Sequence, residues 1–128
     1  MRAIDTNVVV RYLTDDEPSQ SARARAAIDA GDIFVSTTVL LESEWVLRSA
    51  YGFSSKQVAA GLRGLAGLPT VTVESPALLA AALERVENGI DLADALHLGS
   101  AARCEALLTF DRRFIEAAGD GPVPVKEP

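Results

Sequence analysis

The sequence predicts an α/β fold, a mostly parallel sheet flanked by helices, in a single domain spanning residues 1–128. Three observations carry that expectation. Short runs suited to strands, such as "IFVST", "TVTVE" and "EALLTF", alternate with stretches of helical length along the chain. Strands separated by whole helices are not hairpins, so they pair in parallel through crossovers. A chain of 128 residues is also long enough for one sizeable core and too short for two.

The elements follow in order. "RAID", Arg2 to Asp5, reads as a short strand running straight into "TNVVVRYL". Pro18 and Ser19 open a helix ending near Gly31, because proline suits a first turn and glycine a stop. "IFVST" is the next strand, and Thr37 or Thr38 caps a helix reaching about Ala50. Ser54 or Ser55 caps another that ends near Gly67. "TVTVE" is a strand, and Pro76 to Asn88 a helix stopped by Gly89. A helix beginning "DLADALHL" comes next, then the strand "EALLTF", the short helix "DRRFIEAA" and a last strand in "VPVK".

Hydrophobic residues make up 48% of the chain, which excludes disorder. "VVVRYL" and "LLAAAL" are far too short to span a bilayer, and "MRAID" shows no targeting signal. The expectation is a cytoplasmic protein with no membrane contact. Cys104, the one cysteine, has no internal disulfide partner and reads as a small core residue. A net charge of −6 disfavours broad attraction to nucleic acid but not local contacts. Ten of the twelve basic residues are arginines, which suit bidentate phosphate binding. For any single arginine a solvated surface is the ordinary reading.

Ligands of parallel sheets gather beyond the carboxyl ends of the strands. Asp5 closes the first strand, and Asp111 lies just beyond Thr109 at the end of "ALLT". Either acid alone suits a turn or a helix cap, and so does Asp91. Asp94 is harder to dismiss, because the helix around it is apolar on nearly every side. A helix N-terminus stabilises a carboxylate by only ~0.3–1 kcal/mol, which does not offset full burial. On "TVLLESEWVLRSA", Glu42 stands between Val39 and Val46 and is expected to turn inward. Glu44 has Arg48 four residues on and is expected to be solvated. Asp5, Glu42, Asp94 and Asp111 are thus expected at one edge of the sheet, with Asp91 a possible fifth. Packed acids repel one another, and oxygen-only ligands select Mg²⁺ or Mn²⁺ over zinc. His97 reads as a packed or hydrogen-bonded core residue. Trp45 reads as core or dimer packing, and so does the stretch Val58 to Leu68.

"MRAIDTNVVVRYL", "LLESEWVL", "DLADALHL" and "LLTFDRRF", in that order, resemble the successive signatures of the PIN-domain ribonucleases. They are closer still to the VapC toxins of bacterial toxin–antitoxin pairs, and the likeness runs from Met1 to about Phe114. The resemblance implies metal-dependent cleavage of RNA with Mg²⁺, or Mn²⁺ in its place. Asp5 and Asp94 would be the principal ligands, with Glu42 and Asp111 holding a second ion or orienting the water. Asp91 falls where the group is often acidic. Many relatives carry Asn in place of Asp111 and a further Asp three residues later, where this chain has Phe114. Thr6 and Asn7 would fix the Asp5 carboxylate or a metal-bound water by hydrogen bonds, although capping of the following helix is an equal reading, and Thr109 is a further supporting candidate. Arg11, Arg48, Arg112 and Arg113 would offer local positive charge to RNA. The implied partners are an RNA substrate, a VapB-like antitoxin and a second copy of the chain. Two other readings stay open: a catalytically silent PIN-fold binding module and a receiver-like Mg²⁺-binding domain. The receiver reading lacks its acceptor Asp, since "TVTVE" is followed by Ser75, and only Asp5 stands where an acidic pair is needed.

Overall fold

Every strand pairing in the molecule is parallel, as the alternation of strands and helices predicted. The computed structural model describes residues 1–128, which divide into two units, Met1–Pro76 and Ala77–Pro128.

The first unit runs β1 (Arg2–Ala3), α1 (Thr6–Leu13), α2 (Pro18–Asp29), β2 (Ile33–Val35), α3 (Thr37–Tyr51), α4 (Ser55–Ala66) and β3 (Val71–Val73). β2 is the central strand, with Ala3 opposite Phe34 on one side and Val35 opposite Val73 on the other. Ile33 and Val35 are buried, as expected of a central parallel strand. Because the three strands run the same way, Asp5, Ser36 and Glu74 all follow carboxyl ends along one edge. Side-chain caps set the helix starts. Asp5 accepts from the Val8 amide at α1, and Ser36, rather than Thr37 or Thr38, accepts from the Val39 amide at α3. Ser54 and Gln57 form a reciprocal capping box at α4. Gly52, at φ 69°, ends α3 in the left-handed region, where a side chain would be strained.

Helix α3 corrects one expectation. Its core face is Leu40, Ser43, Glu44 and Leu47, while Val39 and Val46 are only half-buried. Glu42 is therefore exposed, and Glu44 is the inward acid at 5% exposure. The two leucines bury more apolar surface than the two valines, and that turns the helix. Glu44 tolerates burial because Arg48 Nε stands 2.6 Å from its Oε1. An Arg48→Met variant should lose about 1–3 kcal/mol of stability, since the buried carboxylate forfeits its charged donor. Urea unfolding would show it, and an unchanged midpoint would mean that water serves Glu44 as well. Trp45 is 59% exposed and is not core, whereas Val58, Ala59, Leu62 and Leu65 are buried.

The second unit contains α5 (from Pro76 to Glu87), α6 (Leu92–Ser100), β4 (Leu107–Leu108), α7 (Arg112–Ala118) and β5 (Val125–Lys126). Leu107 pairs with Val125. Gly89, at φ 96°, stops α5 just before Asp91. One core cluster joins Leu98 and Ala101 to Phe114, Ala118 and Val123. On α6, Leu92, Ala95, Leu96 and Leu98 are buried. Two further expectations fail here: Cys104 and His97 are both exposed. Cys104 lies in the turn beyond α6, and His97 lies on its outer face, so the apolar sequence around each does not carry it inside. No helix is long and apolar enough to cross a membrane.

Candidate functional site

In the first unit, the start of α1 organises two of the expected acids. Asp5 is exposed, and its Oδ1 accepts from the Val8 amide at 3.2 Å. Thr6 is buried, and its hydroxyl donates to Glu42 Oε1. Asn7 is exposed and lines, with Val8, Arg11 and Arg23, a groove of about 390 Å³. Arg11 is held by the Gln20 side chain at 2.7 Å, Tyr51 at 3.0 Å and Asp16 at 3.1 Å. The Tyr51 hydroxyl in turn donates to Asp16, and chiefly for that reason the Asp16 carboxyl titrates below its usual range. Asp16 and Tyr51 are 35 residues apart, so no local pattern announced this knot. Arg48 is committed to Glu44.

In the second unit, Asp91 is exposed at the N-cap position of α6 but makes no capping bond. Asp94, in the first turn, is half-buried. Asp111 caps α7, its Oδ1 accepting from the Arg113 amide at 3.0 Å and the Phe114 amide at 3.2 Å. Thr109 braces that turn, its hydroxyl oxygen accepting from the Asp111 amide at 3.0 Å. Asp91, Asp94, Asp111 and Arg113 line one cavity of about 290 Å³. The electrostatics follow from that grouping. Burial raises the Asp94 carboxyl above its usual range, the charges of Asp91 and Asp111 raise it further, and His97 opposes them. Arg112 meets only Glu127, at 3.5 Å. Phe110, beside Asp111, is 81% exposed.

Three carboxylates thus share a cavity in the second unit, while Asp5 and Glu42 belong to the first. No three His, Cys, Asp or Glu side chains stand together as a group that could hold a metal ion. The donors still fit a hard cation. They are all carboxylate oxygens, and Mg²⁺ commonly takes one or two carboxylates and keeps several waters. Beyond its burial, the Asp91 and Asp111 charges that raise the Asp94 carboxyl are the kind of negative field that a bound cation would offset.

Among known proteins, no curated sequence matches the chain. The family model that matches is that of the PIN domain, over residues 3–120. PIN domains are in general nucleases and typically use divalent metal ions.

Proposed function

Because the chain belongs to the PIN domain family, we propose that it is a metal-dependent endoribonuclease, the toxin of a VapBC-type pair acting in the cytoplasm. The observation that carries this reading is the cavity lined by Asp91, Asp94, Asp111 and Arg113. The whole chain would act as one PIN domain. Asp5 and Asp94 would be the principal holders of Mg²⁺ or Mn²⁺, with Glu42 and Asp111 completing the acidic set. When bound, the ion supplies a lowered pKa for water and neutralises charge on the scissile phosphate.

The chain's own residues do the rest. Asp111 stays aimed because two backbone amides hold its Oδ1, leaving Oδ2 for a ligand. Arg113, in the same cavity, offers a forked donor to a phosphate oxygen, which positions RNA without reading its sequence. Arg112 is the second candidate, since its contact with Glu127 is long and exposed. Arg11 and Arg48 would have to leave existing partners to reach RNA.

In this reading a VapB-like antitoxin silences the enzyme by placing a basic side chain against the acids. The chain would also form a homodimer, with exposed Trp45 as the natural contact. The test pairs two measurements on the purified protein. Mn²⁺ at 100 times its Kd should stabilise the fold by about 2.7 kcal/mol, an effect that EDTA reverses. End-labelled RNA should be cut with Mg²⁺ or Mn²⁺ and left intact in EDTA, with 5′-phosphates on the products. Stabilisation without cleavage would favour a silent binding module, and cleavage in EDTA would overturn metal dependence.

A further inference from the structure

We infer that Phe110 is a stacking platform for an unpaired base of the RNA, next in the chain to the Asp111 that lines the second unit's cavity; this rests on the nuclease reading above. Phe110 is 81% exposed, the most exposed of the chain's large hydrophobic side chains. Core packing does not account for it. The core cluster of this unit takes the other phenylalanine of "TFDRRF", Phe114, at 6% exposure. Helix capping does not account for it either. Phe110 precedes Asp111, the N-cap of α7, where an apolar side chain often closes over the fourth helical residue, here Ile115. A ring closed over Ile115 would be covered, and this one is open.

The backbone on both sides of the ring is fixed. The Thr109 amide donates to the Lys126 carbonyl at 3.0 Å, and the Asp111 amide donates to the Thr109 hydroxyl at 3.0 Å. A phenyl ring on pinned backbone has only two torsions to lose when a base settles on it. Its surroundings suit a nucleic acid better than a protein. Arg112, with its side chain 86% exposed, and Arg113 follow within three residues, and exposed Lys126 belongs to the strand paired with β4. Rings set among cations are how single strands are held, the cations taking phosphates and the ring a base. The centre of a protein interface is instead depleted of charge. Stacking also needs no net positive charge, which matters on a chain at −6. Leu108, 57% exposed, is the other large apolar side chain open in this unit and supplies the control.

The experiment compares wild type, Phe110→Leu, Phe110→Tyr and Leu108→Ala. Affinity for a labelled, unstructured RNA is read by anisotropy in EDTA, and KM and kcat are read for its cleavage with Mn²⁺. Phe110→Leu keeps an apolar side chain but loses the π-face, and should weaken affinity and raise KM by about 5–150-fold. Phe110→Tyr should restore both. The loss should be the same at about 50 and 200 mM salt, because a stacked base releases no counterions. On a blunt RNA duplex, whose bases are already stacked, wild type and Phe110→Leu should bind alike. All three variants should melt within about 2 °C of wild type, since both side chains are exposed. Phe110→Leu equal to wild type on single-stranded RNA overturns the inference. So does a loss that Leu108→Ala matches, and a smaller assembly by light scattering would then mark a contact between proteins. A wild-type chain that neither binds nor cuts RNA overturns the nuclease reading instead, and the wild-type control tells the two failures apart.

Discussion

Asp94→Asn is expected to leave the fold intact and to reduce RNA cleavage by more than about 100-fold, beyond the ~10–100-fold cost of losing an outer partner of a metal site. Asn keeps the shape and one oxygen but gives up the charge that would hold the cation. The same substitution should stabilise the metal-free protein at neutral pH. Burial and the nearby Asp91 and Asp111 charges raise the folded-state pKa of Asp94 above its ordinary value of 3.8. A raised carboxyl contributes stability that is fully present below the unfolded pKa and is lost as pH rises through the folded one. The wild type in EDTA should therefore lose stability on this account as pH rises from about 3.8, and the variant should not. Their melting temperatures should meet at the acid end and part toward neutrality. Added Mn²⁺ should reverse the order by stabilising wild type more. A variant that cuts as fast as wild type with metal present would sink the site assignment. Parallel melting curves across pH would deny the electrostatic account.

Leu98→Ala is expected to cost about 2–5 kcal/mol of stability. Leu98 is fully buried and belongs to the cluster that joins α6 to Phe114 and Ala118 of α7 and to Val123. A Cβ added at Gly121 would stand 3.3 Å from the Leu98 side chain, so that flank is also filled. Asp94 and Asp111 belong to the two helices this core holds together. At about 4 °C per kcal/mol for a chain of this size, melting should fall by about 8–20 °C. Activity well below the midpoint should be largely kept, because no charge or donor is lost. Glu84→Ala is the comparison: its side chain is exposed on α5, and a change within about 0.5 kcal/mol is expected. A Leu98→Ala loss no larger than that of Glu84→Ala would show that the cluster does not carry the unit.

Part of this was legible in the residues alone. Strand and helix periodicity is local, and parallel pairing follows because whole helices separate the strands. Capping is local too. Asp5 and Asp111 were readable as caps, and both accept from amides two or three residues ahead. The family itself was legible in the ordered signatures, and its model matches residues 3–120.

What needed the tertiary structure was the choice among neighbours that share a pattern. Glu42 stands between Val39 and Val46 and was expected inside, but Glu44 lies between Leu40 and Leu47, and the packing of those two leucines turned it inward instead. Cys104 and His97 lie in apolar sequence and are exposed, because the end and the outer face of α6 lie off its core. Among the four arginines only Arg48, four residues after Glu44, had a partner legible in the sequence. Tyr51 and Asp16 hold the first, Glu44 holds the second, and Arg113 alone lines the acidic cavity. Periodicity tells that a helix has an inner face, but not which rotation buries more apolar area or which distant side chain supplies a donor. Those are sums over contacts between residues far apart in the chain, such as Thr6 with Glu42, and no window of neighbouring residues contains them.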